Sequence, residues 1–404
     1  MSRPLTIELR RGVGPFAAPL LLGVLIAGLL AHQRDWAGDW TGSSYYLRFL
    51  VLIGGPVLVA AAAWQGGRSR RRGLDELLDT SSRSRLRQTL MAWASPAAWG
   101  VAAYLLAVLA AAAVTATNTS YGRPLIGMLL SGGAALLALS AAAFAIGVIA
   151  PWRLTAPALA LVTYVGLGYL DITDGTARWL SPAIEPSSLA FQLPAAWWAP
   201  ASTTFFLGLA SAALFTVSRR WLAASVALVV AIGAAVPLVQ VGTSAFTDDR
   251  AAAQLVCRPV AATQVCLTRR HADQLPVVQR LADEVLAGLP SPPQVIEGFS
   301  RQNNASSIRL NELYLGSTVL GGPDEQVVRG DLANGVTSWG CDPVQEPAPD
   351  DVIEQSYALA AWLLNRRTSD GQTEQQMLGI TAAFSAAAKR CDGPGARAAA
   401  AGLR

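Results

Sequence analysis

Seven long stretches of apolar residues fill most of the first 240 positions of this chain. A helix needs about 20 mainly apolar residues to cross the hydrocarbon core of a bilayer. Only 14% of the residues are charged, whereas a soluble domain carries about 25%. The sequence therefore predicts an all-α polytopic membrane bundle in residues 1–243. Its seven transmembrane helices are expected at about residues 13–31, 46–64, 92–114, 125–150, 154–170, 201–217 and 222–241.

The arginines between these stretches predict the direction of the helices, because cytoplasmic loops are enriched in basic residues. With the N-terminus in the cytoplasm, the cytoplasmic segments hold thirteen arginines, and the outer loops hold only Arg34, Arg48, Arg123 and Arg178. We therefore expect a multi-pass protein of the cell membrane with a cytoplasmic N-terminus. Residues 244–404 are then an extracellular domain.

Charge differs between the two parts of the chain. Residues 1–244 hold 17 basic and 9 acidic side chains, net +8, and the remainder holds 14 basic and 18 acidic ones, net −4. The overall basic excess describes neither part, so it does not indicate a nucleic-acid partner. Thirty arginines against one lysine, Lys389, together with abundant alanine, are typical of a GC-rich genome. We expect a bacterial, actinobacterial source.

The pattern of residues 244–404 predicts an α-rich (α+β) domain. Apolar residues recur at helical spacing over residues 275–289, 352–364 and 377–388, and residues 295–299 and 313–320 are candidate strands. His271 follows two arginines at the start of the first of these helices, which favours a solvated side chain. The 160 or so residues suffice for one core.

All four cysteines lie in this domain, as an oxidising compartment predicts. Four cysteines allow three pairings, and we favour Cys257 with Cys266, in two short β-like runs, and Cys341 with Cys391. Four buried free thiols are the alternative.

Enzyme signatures are mostly absent from the sequence. With only two histidines, there is little from which to build a catalytic triad or a zinc site. The segment Gly335–Gly340 has the wrong spacing for a nucleophile elbow, so we interpret it as a loop. No GxxxxGK[ST] motif occurs. We expect no catalytic residue, no metal and no cofactor in this chain.

The most informative polar stretch is the loop of residues 66–90, after the second apolar stretch. A run of arginines leads into Gly73-Leu-Asp-Glu-Leu-Leu-Asp-Thr80, and a Ser/Arg-rich step then enters the third stretch. A positively charged cytoplasmic loop with no further role is the simpler interpretation. The order of these features resembles the coupling-helix segment of ABC-2 type transporter permeases, which docks onto an ATP-binding subunit. The docking residues that the resemblance implies are Gly73, Leu74, Glu76, Leu77, Leu78 and Thr80.

The resemblance also implies partners. It predicts a separate ATP-binding cassette subunit that carries ATP and Mg, a homodimer or a pair of permease chains, and surrounding membrane lipid. This chain departs from the usual six spans of the family by a seventh, which carries the C-terminal domain. The family therefore gives no role to that domain.

A second feature is the loop of residues 171–200, which combines acidic, basic and aromatic side chains. ABC-2 permeases resemble this, with short re-entrant helices that line the substrate exit. The candidate exit residues are Asp171, Asp174, Arg178, Glu185, Trp197 and Trp198. An aromatic belt at the interface explains the tryptophans equally well, but it explains Asp171 and Asp174 less well, since acids near the membrane are costly without a partner.

The leading hypothesis is a permease subunit of an ABC exporter that moves an amphipathic, lipid-like or peptide substrate outward, and not an enzyme. An ion-coupled carrier is disfavoured because its relay needs charges that these apolar stretches lack. A membrane-anchored sensor or scaffold whose outer domain binds a ligand or protein is the first alternative. A membrane enzyme that acts on lipid-linked substrates through Asp171, Asp174 and Glu185 is the second.

Overall fold

Seven of the described helices are long and apolar enough to cross a membrane: Gly14–Ala31, Trp40–Gly66, Arg85–Asn118, Ile126–Ile149, Thr155–Ile172, Trp198–Val217 and Trp221–Ala245. They belong to a computed structural model that describes residues 3–73, 83–119, 121–173, 175–184, 189, 191–260, 263–290, 292–298, 307–311, 315–340, 347–366 and 371–403. The chain divides into two compact units. The first comprises Met1–Trp36, Trp40–Ala116 and Arg123–Asp249, and the second comprises Ala37–Asp39, Thr117–Gly122 and Arg250–Arg404.

The first unit is a helical bundle with one small strand pair. Its helices are α1 (Arg3–Arg11), α2 (Gly14–Ala31), α3 (Trp40–Phe49), α4 (Val51–Gly66), α5 (Arg68–Arg71), α6 (Arg85–Asn118), α7 (Ile126–Ile149), α8 (Thr155–Ile172), α9 (Trp198–Val217) and α10 (Trp221–Val241). The antiparallel strands β1 (Gln192–Pro194) and β2 (Phe246–Asp248) pair in the register Leu193 to Thr247. The helix that contains the second apolar stretch begins at Trp40, six residues before the predicted start of that span.

Many large side chains on the bundle's outer faces are apolar and exposed. Phe16 of α2 is 78% exposed, Ile172 of α8 is 80% exposed and Leu222 of α10 is 87% exposed. A soluble protein seldom leaves so much apolar surface in contact with water. These faces fit a polytopic membrane protein in which lipid covers the outside of the bundle.

Two helices of the bundle touch backbone to backbone. A Cβ on Gly66 of α4 would overlap the carbonyl oxygen of Phe144, and a Cβ on Gly147 of α7 would overlap the carbonyl oxygen of Ala63. Small residues that permit such close approach are typical of helix contacts in membranes. α4 and α7 are therefore in direct contact at the end of α4 that leads into α5.

The second unit combines a mixed sheet with helices. The four strands β3 (Leu255–Val260), β4 (Thr263–Thr268), β5 (Val295–Glu297) and β6 (Ile308–Leu310) lie in sequential order. β3 and β4 are antiparallel, and β4, β5 and β6 are parallel. Residues 315–320, part of a predicted strand, are not extended in a strand; the sheet's last strand lies earlier, at β6.

Two apolar clusters stabilise this unit. The helices are α11 (Leu275–Leu286), α12 (Glu325–Thr337), α13 (Asp350–Asn365), α14 (Gly371–Lys389) and α15 (Gly393–Ala400). The larger cluster packs α11 and α12 against the sheet, through Val278, Leu281, Val295 and Leu332. The smaller cluster contains Leu359 of α13, Phe384 of α14 and Ala396 of α15. The unit is thus an α+β domain, as its apolar spacing predicts.

A disulfide joins Cys257 and Cys266, which face each other across the β3–β4 hairpin. This is the pair that the sequence favours. Cys391 is disulfide-bonded as well, and its expected partner, Cys341, lies outside the described residues. The second pairing stays a prediction.

Candidate functional site

The segment that resembles a coupling helix is described only at its beginning. Gly73 has a positive φ of 66°, a backbone conformation that glycine adopts without strain. The other five candidate docking residues, Leu74, Glu76, Leu77, Leu78 and Thr80, lie outside the described residues. Their role stays a prediction.

The basic segment, Arg68–Arg71, is tied to several parts of the bundle. Arg68 makes an ion pair of 3.2 Å with Glu8 of α1, and Gln65 donates to the same carboxylate at 3.1 Å. Arg70 donates to the Ile149 carbonyl, where α7 ends. Arg71 donates to the carbonyl of Pro151 in the α7–α8 connection and lies over the ring of Trp64. The basic segment is therefore fixed to α1, α4 and the end of α7.

The four candidate exit residues that the structure describes do not share one environment. Asp171 lies in the last turn of α8, and Arg178 lies in a short turn of 3₁₀ helix. Trp197 is 38% exposed, whereas Trp198, at the start of α9, is fully buried. The other two, Asp174 and Glu185, lie outside the described residues. Of the four described candidates, only Trp198 takes part in the buried polar cluster described next.

Arg48 is a buried cation inside the bundle. The sequence places it in an outer loop, but it lies within α3 and is 2% exposed. Its Nε donates to the Ser131 hydroxyl at 3.1 Å, and its Nη2 donates to the Ser181 carbonyl at 2.9 Å. Its guanidinium carbon lies 4.8 Å from the centre of the Trp198 ring, a cation–π contact. Four distant parts of the chain thus meet at one guanidinium.

The partners of Arg48 are themselves oriented by hydrogen bonds. The Ser131 hydroxyl donates to the Met128 carbonyl at 2.9 Å, so its oxygen is free to accept from Arg48. The Ser181 hydroxyl accepts from the Ala183 amide at 3.0 Å, which shapes the loop that presents the Ser181 carbonyl. Trp198 also packs against Phe246 of β2 at a ring distance of 5.4 Å. The site is therefore held in place by the fold.

All of these partners are neutral. No carboxylate among the described residues contacts Arg48, and a guanidinium is always charged in proteins. The two hydrogen bonds use two of its five N–H groups. A buried charge without a counter-charge is costly, and in a membrane bundle such a residue usually marks a functional site.

A second polar cluster lies inside the second unit. His271, predicted to be solvated, is buried, and its Nδ1 lies 2.7 Å from Oε1 of the fully buried Glu297. The other carboxylate oxygen accepts from the Thr268 amide at 2.6 Å. Burial opposes ionisation of Glu297, but the contacts with His271 and Thr268 outweigh burial and lower its pKa. The cluster joins β4, β5 and the turn before α11.

The single lysine forms a third cluster. Lys389, at the end of α14, donates to the Ser338 hydroxyl at 3.0 Å and to the Gly335 carbonyl at 3.1 Å. Gly335 lies in the last turn of α12, where carbonyls lack helical partners. Burial lowers the pKa of Lys389. This arrangement caps α12, and residues 335–337 are its last helical residues, not a loop.

The described residues contain no group of three or more histidine, cysteine, aspartate or glutamate side chains suited to hold a metal ion. No protein-family model matches the chain, no curated protein is significantly similar to it in sequence, and no solved structure is significantly similar to it. Any function must therefore be inferred from the geometry above and from the resemblance of residues 66–90.

Proposed function

We propose that this chain is the membrane subunit of an ATP-binding cassette exporter, which moves an amphipathic, lipid-like or peptide substrate outward. ATP and Mg are bound by a separate ATPase subunit, and the exporter contains two permease chains, identical or paired. The observation that carries the proposal is the attachment of the basic segment to α1, α4 and the end of α7. This segment leads directly into the candidate docking residues.

The attachment gives docking a mechanical consequence. A displacement of the loop at residues 74–82 would act on α4 and, through Arg70 and Arg71, on the α7–α8 connection. Because Gly66 and Gly147 bring α4 and α7 into backbone contact, the two helices would move as one body. Rigid-body motion of packed helices is a common way to change access to a transport site.

The proposed orientation places the N-terminus in the cytoplasm and the second unit outside the cell. The arginine distribution supports it. The disulfide between Cys257 and Cys266 supports it independently, because disulfides form and persist in oxidising compartments. A cysteine introduced at the exposed position 357 should react with a membrane-impermeant maleimide from outside intact cells, and reaction only after lysis would contradict this orientation.

The proposal is tested by co-purification. The tagged full chain, extracted in mild detergent from its native host, should carry with it an ATPase that has a Walker motif. A variant with Glu76→Ala and Leu77→Ala should lose that ATPase while it keeps the elution volume of the wild type. A matched control changes Glu354→Ala and Leu364→Ala, two exposed residues of α13, and should keep the ATPase.

Two results would refute the proposed exporter function. One is purification of the wild-type chain without any ATPase under conditions that preserve other membrane complexes. The other is retention of the ATPase by the Glu76→Ala, Leu77→Ala variant. Either result would favour a sensor or scaffold, whose second unit binds its ligand without energy from ATP.

A further inference from the structure

We infer that Arg48 is the anchor of an anion-binding site inside the bundle, which takes the carboxylate or phosphate head group of an amphipathic molecule. The inference rests on the proposed function in one respect, because this molecule would be the exported substrate. The existence of the site does not depend on an ATPase, so the two can fail separately.

The first support is charge. Arg48 is 2% exposed and permanently cationic, and its contacts, Ser131, the Ser181 carbonyl and Trp198, are neutral. Buried charges in proteins are paired or bound to a counter-ion, since isolated ones are strongly disfavoured. An anionic ligand supplies the missing counter-charge.

The second support is the geometry of the guanidinium. Its Nε and one N–H of Nη2 are occupied, and the remaining three N–H groups, including both on Nη1, have no acceptor among the described residues. Arginine recognises carboxylate and phosphate through such N–H groups, which lie in one plane at fixed angles. The existing bonds would hold the plane still while the free donors bind.

The third support is the surroundings. Trp198 covers one face of the guanidinium, and Trp198 belongs to an apolar cluster with Tyr45, Met128, Trp179 and Phe246. A ligand whose head group reaches Arg48 would therefore have its adjoining part against apolar and aromatic side chains. This chemistry suits an amphipathic anion better than a small inorganic ion.

The site also gives a role to the Ser131 hydroxyl and to the backbone carbonyl of Ser181. Both acceptors orient the cation without neutralising it. An acidic residue in place of Ser131 would satisfy Arg48 permanently and would repel a ligand anion. Arg48 thus stays positively charged and able to bind an amphipathic anion reversibly.

The test uses the full chain, purified without its ATPase in a neutral detergent. Native mass spectrometry counts the ligand molecules bound to each chain. The probes are phosphatidylglycerol, palmitate, phosphatidylcholine and inorganic phosphate. We expect phosphatidylglycerol or palmitate to bind at least about 10-fold more tightly than phosphatidylcholine, with a loss of about 10-fold in Arg48→Gln, equal to about 1.4 kcal/mol. Arg123→Gln removes an exposed arginine of the same unit and should bind as the wild type does.

Arg48→Lys guards against a variant that does not fold. It keeps the charge but not the planar donors, so its affinity for the anionic probe should lie between those of the wild type and Arg48→Gln. If Arg48→Gln elutes as an aggregate, the comparison of wild type with Arg48→Lys decides alone, and equal affinities would refute the inference. Equal binding of anionic and zwitterionic lipid would refute it too, as would binding of inorganic phosphate alone. Anion binding that depends on Arg48, in a chain with which no ATPase co-purifies from the native host, would leave the site standing and reject the exporter.

Discussion

Replacing Glu297 by glutamine should loosen the sheet of the second unit. The side chain is fully buried in β5 and accepts two short hydrogen bonds, from the Thr268 amide at 2.6 Å and from His271 at 2.7 Å. Glutamine has nearly the same shape, but an NH2 group replaces one of the two acceptor oxygens. Its oxygen can accept from the Thr268 amide, and its NH2 group can donate to Nδ1 of the His271 tautomer that carries its proton on Nε2. The change therefore replaces two hydrogen bonds to a carboxylate with two neutral ones.

The magnitude follows from the two hydrogen bonds. A bond to a charged group stabilises a protein by about 1.5–3 kcal/mol, and a neutral one by about 0.5–1.5 kcal/mol. Two bonds that lose their charge therefore cost about 2–3 kcal/mol, and relief from burying the charge offsets part of this. We expect the free energy of local unfolding of the sheet to fall by about 2 kcal/mol, which corresponds to local opening about 30-fold more often.

Amide hydrogen exchange of the full chain in detergent measures that opening region by region. Peptides that contain β4 and β5 should exchange about 30-fold faster in Glu297→Gln at neutral pH, by the conversion of about 1.4 kcal/mol per tenfold. Peptides of the first unit should not change. Glu354→Gln, the same chemical change at an exposed position, should leave the sheet as it is. Equal exchange of wild type and Glu297→Gln at neutral pH would refute the assigned role.

The pH dependence has a definite sign. The pKa of Glu297 is lowered in the folded chain. Its contribution to the stability of the sheet is therefore fully present above the pKa of the unfolded chain, about 4.3. This contribution is lost as the pH falls through the lower pKa of the folded chain. The difference between wild type and Glu297→Gln, after correction for intrinsic exchange, should therefore shrink in acid; a difference that grows in acid would contradict the assignment.

Three further predictions concern packing, the disulfide and the lysine. Gly147→Val should force α4 and α7 apart and lower the thermal midpoint of the detergent-solubilised chain, since overpacking costs about 1–3 kcal/mol. Gly166→Val is the control, because this glycine has open space around it, and it should leave the thermal midpoint unchanged. Cys257→Ser removes a crosslink between residues nine apart and should cost the unfolding free energy of the second unit about 2.6 kcal/mol, measured as faster amide exchange in β3 and β4. Lys389→Met tests the lowered pKa of Lys389. The stability of the wild-type second unit should rise as the pH increases from the folded pKa of Lys389 towards the unfolded value of about 10.4. Amide exchange, corrected for the intrinsic rate, should show this rise in the wild type and not in the variant.

The sequence predicts the helices of the chain far better than its sheet. Long apolar stretches and helical spacing indicate α13 and the seven helices that are long and apolar enough to cross a membrane, because each signal is local. The helix α12 escapes this reasoning, since its glycines Gly330 and Gly335 interrupt its apolar pattern. Its readable signal is Asp324, whose side chain accepts from the Gln326 and Val327 amides as an N-cap. Strand β6 has three residues, too few to show a period.

The polar sites could not be predicted, because their members are far apart in the sequence. Arg48 lies 83 residues from Ser131 and 133 residues from Ser181, so no spacing connects them. Polar residues before Tyr46 suggest a loop, although the helix already begins at Trp40. The burial of His271 is likewise concealed by the arginines before it, one of which pairs with Asp39 at 2.9 Å.

The sequence places Arg48 in an outer loop, whereas the structure places it in α3. This correction strengthens the predicted orientation of the helices. It also shows that arginine counts alone do not identify a functional arginine. When the arginines inside the candidate membrane-spanning helices, Arg48, Arg85 and Arg87, are left out, the outer loops hold three arginines against eleven in the cytoplasmic segments, so the ratio increases slightly. The same count treats all arginines as equal, yet Arg68 has a carboxylate partner and Arg48 has none among the described residues. In the proposed orientation, the positive charges that direct insertion would lie at the ends of the helices. The proposed anion site rests instead on Arg48, a charge that is buried inside the bundle.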